Sequence, residues 1–61
     1  MQFKLGQQIL TFNSYLGKII EIKNKEITVY YPKDNSIETF REHQFDSLES
    51  MIKRYNTRVG I

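Results

Sequence analysis

The stretch GKIIEIKNKEITVYY, residues 17–31, decides the fold. KIIEI and EITVYY are dense in β-branched and aromatic side chains, which suit a pleated, half-buried surface. The polar KNKE between them reads as the turn of a hairpin, with Asn24 expected to enter the left-handed region. In the second strand Ile27, Val29 and Tyr31 share one face, and Thr28 and Tyr30 share the other. The first strand breaks this rule, because Ile19, Ile20 and Ile22 do not follow a period of two. Either a bulge falls near Ile20–Glu21 or both faces are covered. The bulge is the favoured reading, since the strands of a small barrel must bend strongly to close.

The flanks carry the same pattern outward. In QFKLGQQILTF, Phe3 and Leu5 alternate, Gly6 permits a bend or bulge, and Ile9 is a core position. NSYLG reads as a turn, with Asn13 and Ser14 able to bond their own backbone. In PKDNS, Pro32 stops ladder pairing, and Asp34, Asn35 and Ser36 favour a tight turn. IETFR then alternates, with Ile37, Thr39 and Arg41 on one side and Glu38 and Phe40 on the other. Phe40 brings the most apolar area and is the expected core member.

The period changes in DSLESMIKRYN. Leu48, Ile52 and Tyr55 recur at helical spacing with Met51 beside them. Asp46 and Glu49 have capping-box spacing, and Lys53 and Arg54 lie toward the favourable end of the helix dipole. A helix of about ten residues, 47–56, is marginal alone and must dock on the sheet through Leu48, Met51, Ile52 and Tyr55.

Sixty-one residues make a single domain, 1–61. The reading is mainly β: a small antiparallel, SH3-like (Tudor/KOW-like) partly open barrel of four to five strands over about 3–45. The short C-terminal α-helix covers about 47–56, and 57–61 form a tail. With no cysteine, neither a disulfide nor a thiolate metal site staples the chain. Stability must come from apolar packing, and 39% hydrophobic residues with four Phe and four Tyr suffice for one small core.

The composition also narrows function. No apolar run spans a bilayer and no signal peptide opens the chain, so a complete cytoplasmic protein is expected. His43 stands without a second histidine or a carboxylate cluster, so no metal is expected. The serines lack a nucleophile-elbow context, the three glycines form no phosphate loop, and a small barrel has little concavity for a small-molecule substrate. The chain reads as a non-enzyme without cofactor. Charge is segregated: residues 1–33 carry net +3, 34–52 carry −4 and 53–61 carry +3.

The span LGQQILTFNSYLGKIIEIKNKEITVYYPKDNSIETFREHQFDSL resembles the small SH3-like barrels of the Tudor and KOW type. The nearest likeness is the Tudor-like module at the C-terminus of UvrD/PcrA-type helicases and in small bacterial proteins. Gly17, Ile19, Ile22, Ile27, Val29, Tyr31, Phe40 and Phe45 carry it over residues 5–48. The chain departs from the helicase module in standing alone and in its extra helix and tail. The resemblance implies a docking role toward RNA polymerase, nucleic acid, ribosomal components or modified peptides.

Two functions follow as expectations. The first is a module that binds nucleic acid or the machinery of nucleic-acid metabolism. Lys18, Lys23 and Lys25 around the hairpin, with Lys53, Arg54 and Arg58, would meet phosphates, while Tyr15 or Tyr30 would stack on unpaired bases. The alternative is a protein-binding adaptor or inhibitor of phage or plasmid type, docking through Ile20, Tyr30 and Phe12 or through the acids Glu38, Glu42, Asp46 and Glu49. The resemblance tips the balance to the first. Self-association is a third expectation, with RVGI (58–61) extending as a strand against a neighbour.

Overall fold

Every strand is joined to the next by a short turn, so the sheet is a meander. The computed structural model describes residues 3–59. Strands β1 (Gln8–Leu10), β2 (Leu16–Lys23), β3 (Glu26–Tyr31) and β4 (Ser36–Arg41) form one sheet in the order β1-β2-β3-β4. All neighbouring pairs are antiparallel. The sheet is open, with β1 and β4 as its edges. A 3-10 turn at Glu42–Gln44 leads into one helix, α1 (Phe45–Val59).

Two bulges bend the sheet at the same point. Ile20 is the extra residue of β2: Ile19 pairs with Val29 and Glu21 with Thr28, so the register slips between them. On the other side of Ile19, Gly6 donates its N–H to the Ile19 carbonyl at 2.8 Å, and Ile19 donates to the Gln7 carbonyl at 2.9 Å. Gly6 holds φ at +83°, the left-handed conformation that a glycine bulge requires. Both bulges fall where the sequence anticipates them.

The hairpin turn differs from expectation. Lys25, not Asn24, takes the left-handed conformation, at φ +65°. Lys25 is the second of the two residues between the paired Lys23 and Glu26. Positive φ at that place alone is the sign pattern of a type II turn rather than of the primed turns, which would have made Asn24 positive.

Residues paired across an antiparallel ladder share a face, so the register sorts the side chains. Ile19 and Val29 stand in one inner row with Glu38, and Ile22 and Ile27 stand in another with Phe40. The core consists of Ile9, Ile19, Ile27, Val29 and Phe40 against Leu48, Met51 and Ile52, with Phe3, Tyr31 and Phe45 half-buried at its margin. Helix α1 lies over this inner face, chiefly along β1 and touching β4. Ile22 departs from expectation. It lies on the inner face but is 41% exposed, because β1 pairs only with Leu16–Lys18 and leaves the far end of the hairpin uncovered. Tyr31 and Tyr55, expected inside, are only half-buried.

Helix α1 is longer than the span 47–56. Phe45 begins it, packing edge-on against Phe3 with ring centroids 5.2 Å apart. Thr57, Arg58 and Val59 continue it, since none of them carries the large helix penalty of Gly or Pro. The residues expected to form a tail are therefore helical as far as Val59, and the remaining two of RVGI lie outside the described residues. The Asp46–Glu49 capping box does not open the helix either. Gln44 Oε1 accepts the Arg41 backbone N–H at 3.0 Å, so the chain is capped one turn earlier.

Candidate docking face

With α1 on the inner face, the outer face is uncovered except at Leu10, which pairs with Leu16 and is buried. Its central row runs Gln8, Lys18, Tyr30 and Ile37 across the four strands. Ile20 and Glu21 oppose Thr28 through the bulge, and Thr28 pairs onward with Thr39. The last row is Lys23, Glu26 and Arg41. Leu16, two residues before Lys18, extends the apolar positions toward the far end of β2. Leu16 is 49% exposed, Ile20 47% and Ile37 63%. Tyr30 is half-buried among them, and its hydroxyl donates to Asn35 Oδ1 at 2.7 Å.

Beyond Leu16 the face runs into a shallow open groove of about 450 Å³, lined by Asn13, Ser14, Tyr15, Leu16, Pro32 and Lys33. Lys33 holds its ammonium 4.2 Å from the centroid of the Tyr15 ring, within the range of a cation–π contact. The loop carrying Tyr15 is shaped by its own backbone. Tyr15 N–H donates to Thr11 Oγ1 at 2.9 Å, and Ser14 sits at φ +69°. Asn35, at φ +56°, turns the opposite wall.

The electrostatics of the face are locally settled in one half. Glu21 stands 3.7 Å from Lys23 Nζ, and Glu26 stands 3.0 Å from Arg41. Lys18 and Lys33 have no acid within ion-pair distance among the described residues. Tyr31, on the inner side of the sheet, donates to Glu38 Oε1 at 2.6 Å. Burial of the ring and this carboxylate together hold its hydroxyl proton well above the usual tyrosine range.

The residues singled out from sequence separate into three places. Lys18, Ile20 and Tyr30 meet on the outer face as neighbours. Lys23 and Lys25 lie at the hairpin tip, and Tyr15 lies in the groove at the other end. Lys53, Arg54 and Arg58 belong to α1, on the opposite layer. Arg54 is further committed: its Nε donates to the Thr11 carbonyl at 3.3 Å, and its guanidinium sits 5.7 Å from the Phe12 ring centroid. It pins the β1–β2 loop, so one continuous basic track does not form. Phe12 is exposed at 65%, yet it faces this arginine rather than the outer row. Ile37, Leu16 and Lys33 join this surface without being marked by charge clusters or exposed aromatics in the sequence. Ile37 was legible, because Phe40 inward forces Ile37 outward; the groove was not, because it joins two loops 16 residues apart.

Among the described residues, no group of three His, Cys, Asp or Glu converges as metal ligands would. No helix of the described residues is long and apolar enough to cross a membrane. Compared with known proteins, the chain matches no family model, no curated protein and no solved structure.

Proposed function

We propose that this chain is a non-enzymatic docking module that presents its uncovered sheet face to a larger protein. One observation carries the reading: Leu16, Ile20 and Ile37 stand exposed around Tyr30 on the one face that α1 does not cover. Apolar side chains gathered in this way, rimmed by Lys23, Glu26 and Arg41, have the composition of an interface core with a polar rim. Tyr30 supplies the aromatic anchor typical of such centres. The doubly bulged meander agrees with an SH3-like, partly open barrel, and we read it as one. Its resemblance to Tudor and KOW modules gives the context, a partner protein of nucleic-acid metabolism.

Direct binding of nucleic acid has less support. A phosphate track needs several unpaired cations along one surface, with salt dependence growing with each contact. Here Lys23 and Arg41 are paired with acids, and Lys53, Arg54 and Arg58 lie on the opposite layer.

The test is capture from a lysate treated with nuclease, using the wild-type chain and an Ile20→Ser/Ile37→Ser variant. Both substitutions fall on exposed side chains, so far-UV circular dichroism should stay unchanged. A protein retained after nuclease by the wild type and lost by the variant supports the reading. Recovery that vanishes with nuclease, or capture that the variant matches, refutes it.

A further inference from the structure

We infer that the segment received by this face is an extended stretch of the partner in which acidic residues alternate with apolar ones. The inference rests on the docking reading and adds the chemistry of the ligand. Leu16 belongs both to the groove wall and to the outer face, so groove and face form one surface. From Leu16 to Ile20 the strand advances roughly 13 Å, enough for about four or five residues of extended chain. Along this path the exposed apolar side chains are Tyr15, Leu16, Ile20 and Ile37, with Tyr30 between them.

The sign of the charge comes from what is already paired. Glu21 and Glu26, the acids on the strands of this face, are each engaged by Lys23 and Arg41. Asp34, next to Lys33 in the turn, keeps its charge while accepting a hydrogen bond from Ser36 Oγ at 2.7 Å, and it lies outside ion-pair distance of Lys33. Lys18 and Lys33 remain without an ion-pair partner among the described residues. They stand at two separate points of the path, Lys18 opposite Tyr30 and Lys33 over the Tyr15 ring. An incoming segment with carboxylates at these two points meets complementary charge, whereas a basic segment meets repulsion. Apolar side chains between the carboxylates cover Leu16 and Ile20. Two free cations suit a short acidic motif better than a polyphosphate backbone, which would engage more.

A random twelve-residue peptide library displayed on phage, selected against the immobilised full chain, tests this. Selected peptides are then synthesised, and their affinities are measured by fluorescence anisotropy. The expected winners are rich in Asp and Glu interleaved with apolar residues. A Lys18→Glu/Lys33→Glu variant, both changes being exposed and its fold checked by circular dichroism, should bind them at least about tenfold more weakly, as two screened ion pairs allow. Winners that are basic or uncharged overturn the inference, and so do acidic winners indifferent to the charge reversal. If such peptides still lose binding to the Ile20→Ser/Ile37→Ser variant, the docking face stands and only its acidic preference falls. Peptides indifferent to both variants, or a selection that enriches nothing, count against the docking reading as well.

Discussion

Replacing Gly17 by alanine tests the tightest point in the core. Gly17 is buried within β2 and lacks positive φ, so alanine brings no backbone strain. Space is the obstacle. A Cβ built there would lie 2.9 Å from Tyr31 Cε1, 2.9 Å from Val29 Cγ1 and 3.0 Å from Ile9 Cγ1. Val29 and Ile9 are fully buried and cannot retreat, and Tyr31 is tethered through its hydroxyl to Glu38. Forcing one methyl into a packed core costs about 1–3 kcal/mol. The lower entropy of the unfolded alanine chain offsets about 0.4–1 kcal/mol of this. The net destabilisation is therefore centred on about 1.3 kcal/mol. Against the roughly 3–9 kcal/mol that a 61-residue domain has in total, this is a large share. Thermal unfolding followed by far-UV circular dichroism should show Tm lowered by about 5–10 °C, at about 4–8 °C per kcal/mol. Adding Val29→Ala removes one of the three clashing atoms. The double variant should then lose at least about 0.5 kcal/mol less than the two single losses combined. A Gly17→Ala protein as stable as the wild type, or strictly additive losses, would show that the sheet is looser at this point than its packing implies.

Tyr31 makes stability depend on alkaline pH. Its folded-state proton is held more tightly than the ordinary tyrosine proton, so the folded state favours the neutral hydroxyl. That stabilisation is complete below the unfolded pKa of about 10 and is lost as pH rises above it. Urea midpoints at pH 8 and pH 11 should therefore fall further for the wild type than for Tyr31→Phe. Arg54→Ala should free the β1–β2 loop, costing about 0.5–1.5 kcal/mol, with faster amide exchange at Ser14 and Tyr15. Lys25→Gly should raise Tm by a few degrees, because relief of about 1–2 kcal/mol at positive φ exceeds the entropy cost of about 0.5–1 kcal/mol. A lower Tm would mean that the lysine side chain contributes to the turn.

Local pattern revealed most of the architecture because a meander is built from local pairings. The period-two faces of β3 and β4, the broken period at Ile20 and the glycine at position 6 each point to a feature found in the structure. What stayed hidden depends on where the helix lands. Ile22 has the right parity for the core, but its exposure follows from α1 lying along β1 at the other end. The functions of the basic residues were hidden for the same reason. Lys18 and Arg54 look alike in sequence, yet one lies open beside Tyr30 and the other reaches 43 residues back to the Thr11 carbonyl. The early start of α1 is hidden because Phe45 packs on Phe3 at the other end of the chain, and its late end because Thr57–Val59 carry no apolar period to mark them.

A sheet this small has two faces and one helix, so one face must be left open whatever the protein does. Exposure of that face is therefore not evidence of function by itself. What distinguishes this face is which residues occupy it. The outer positions Thr28 and Thr39 show what a face meant only for water can use: β-branched side chains that keep strand preference and carry a hydroxyl. At Ile20 and Ile37 the same backbone demand is met by isoleucine instead. Leu16 adds a third apolar side chain, half of it exposed and the rest set opposite the buried Leu10. Exposed apolar strands also raise the risk of edge pairing, which β4 limits by turning Glu38 inward and fixing it to Tyr31. Guarding the β4 edge while leaving Leu16, Ile20 and Ile37 uncovered fits the proposed docking onto the face better than extension of the sheet from the side.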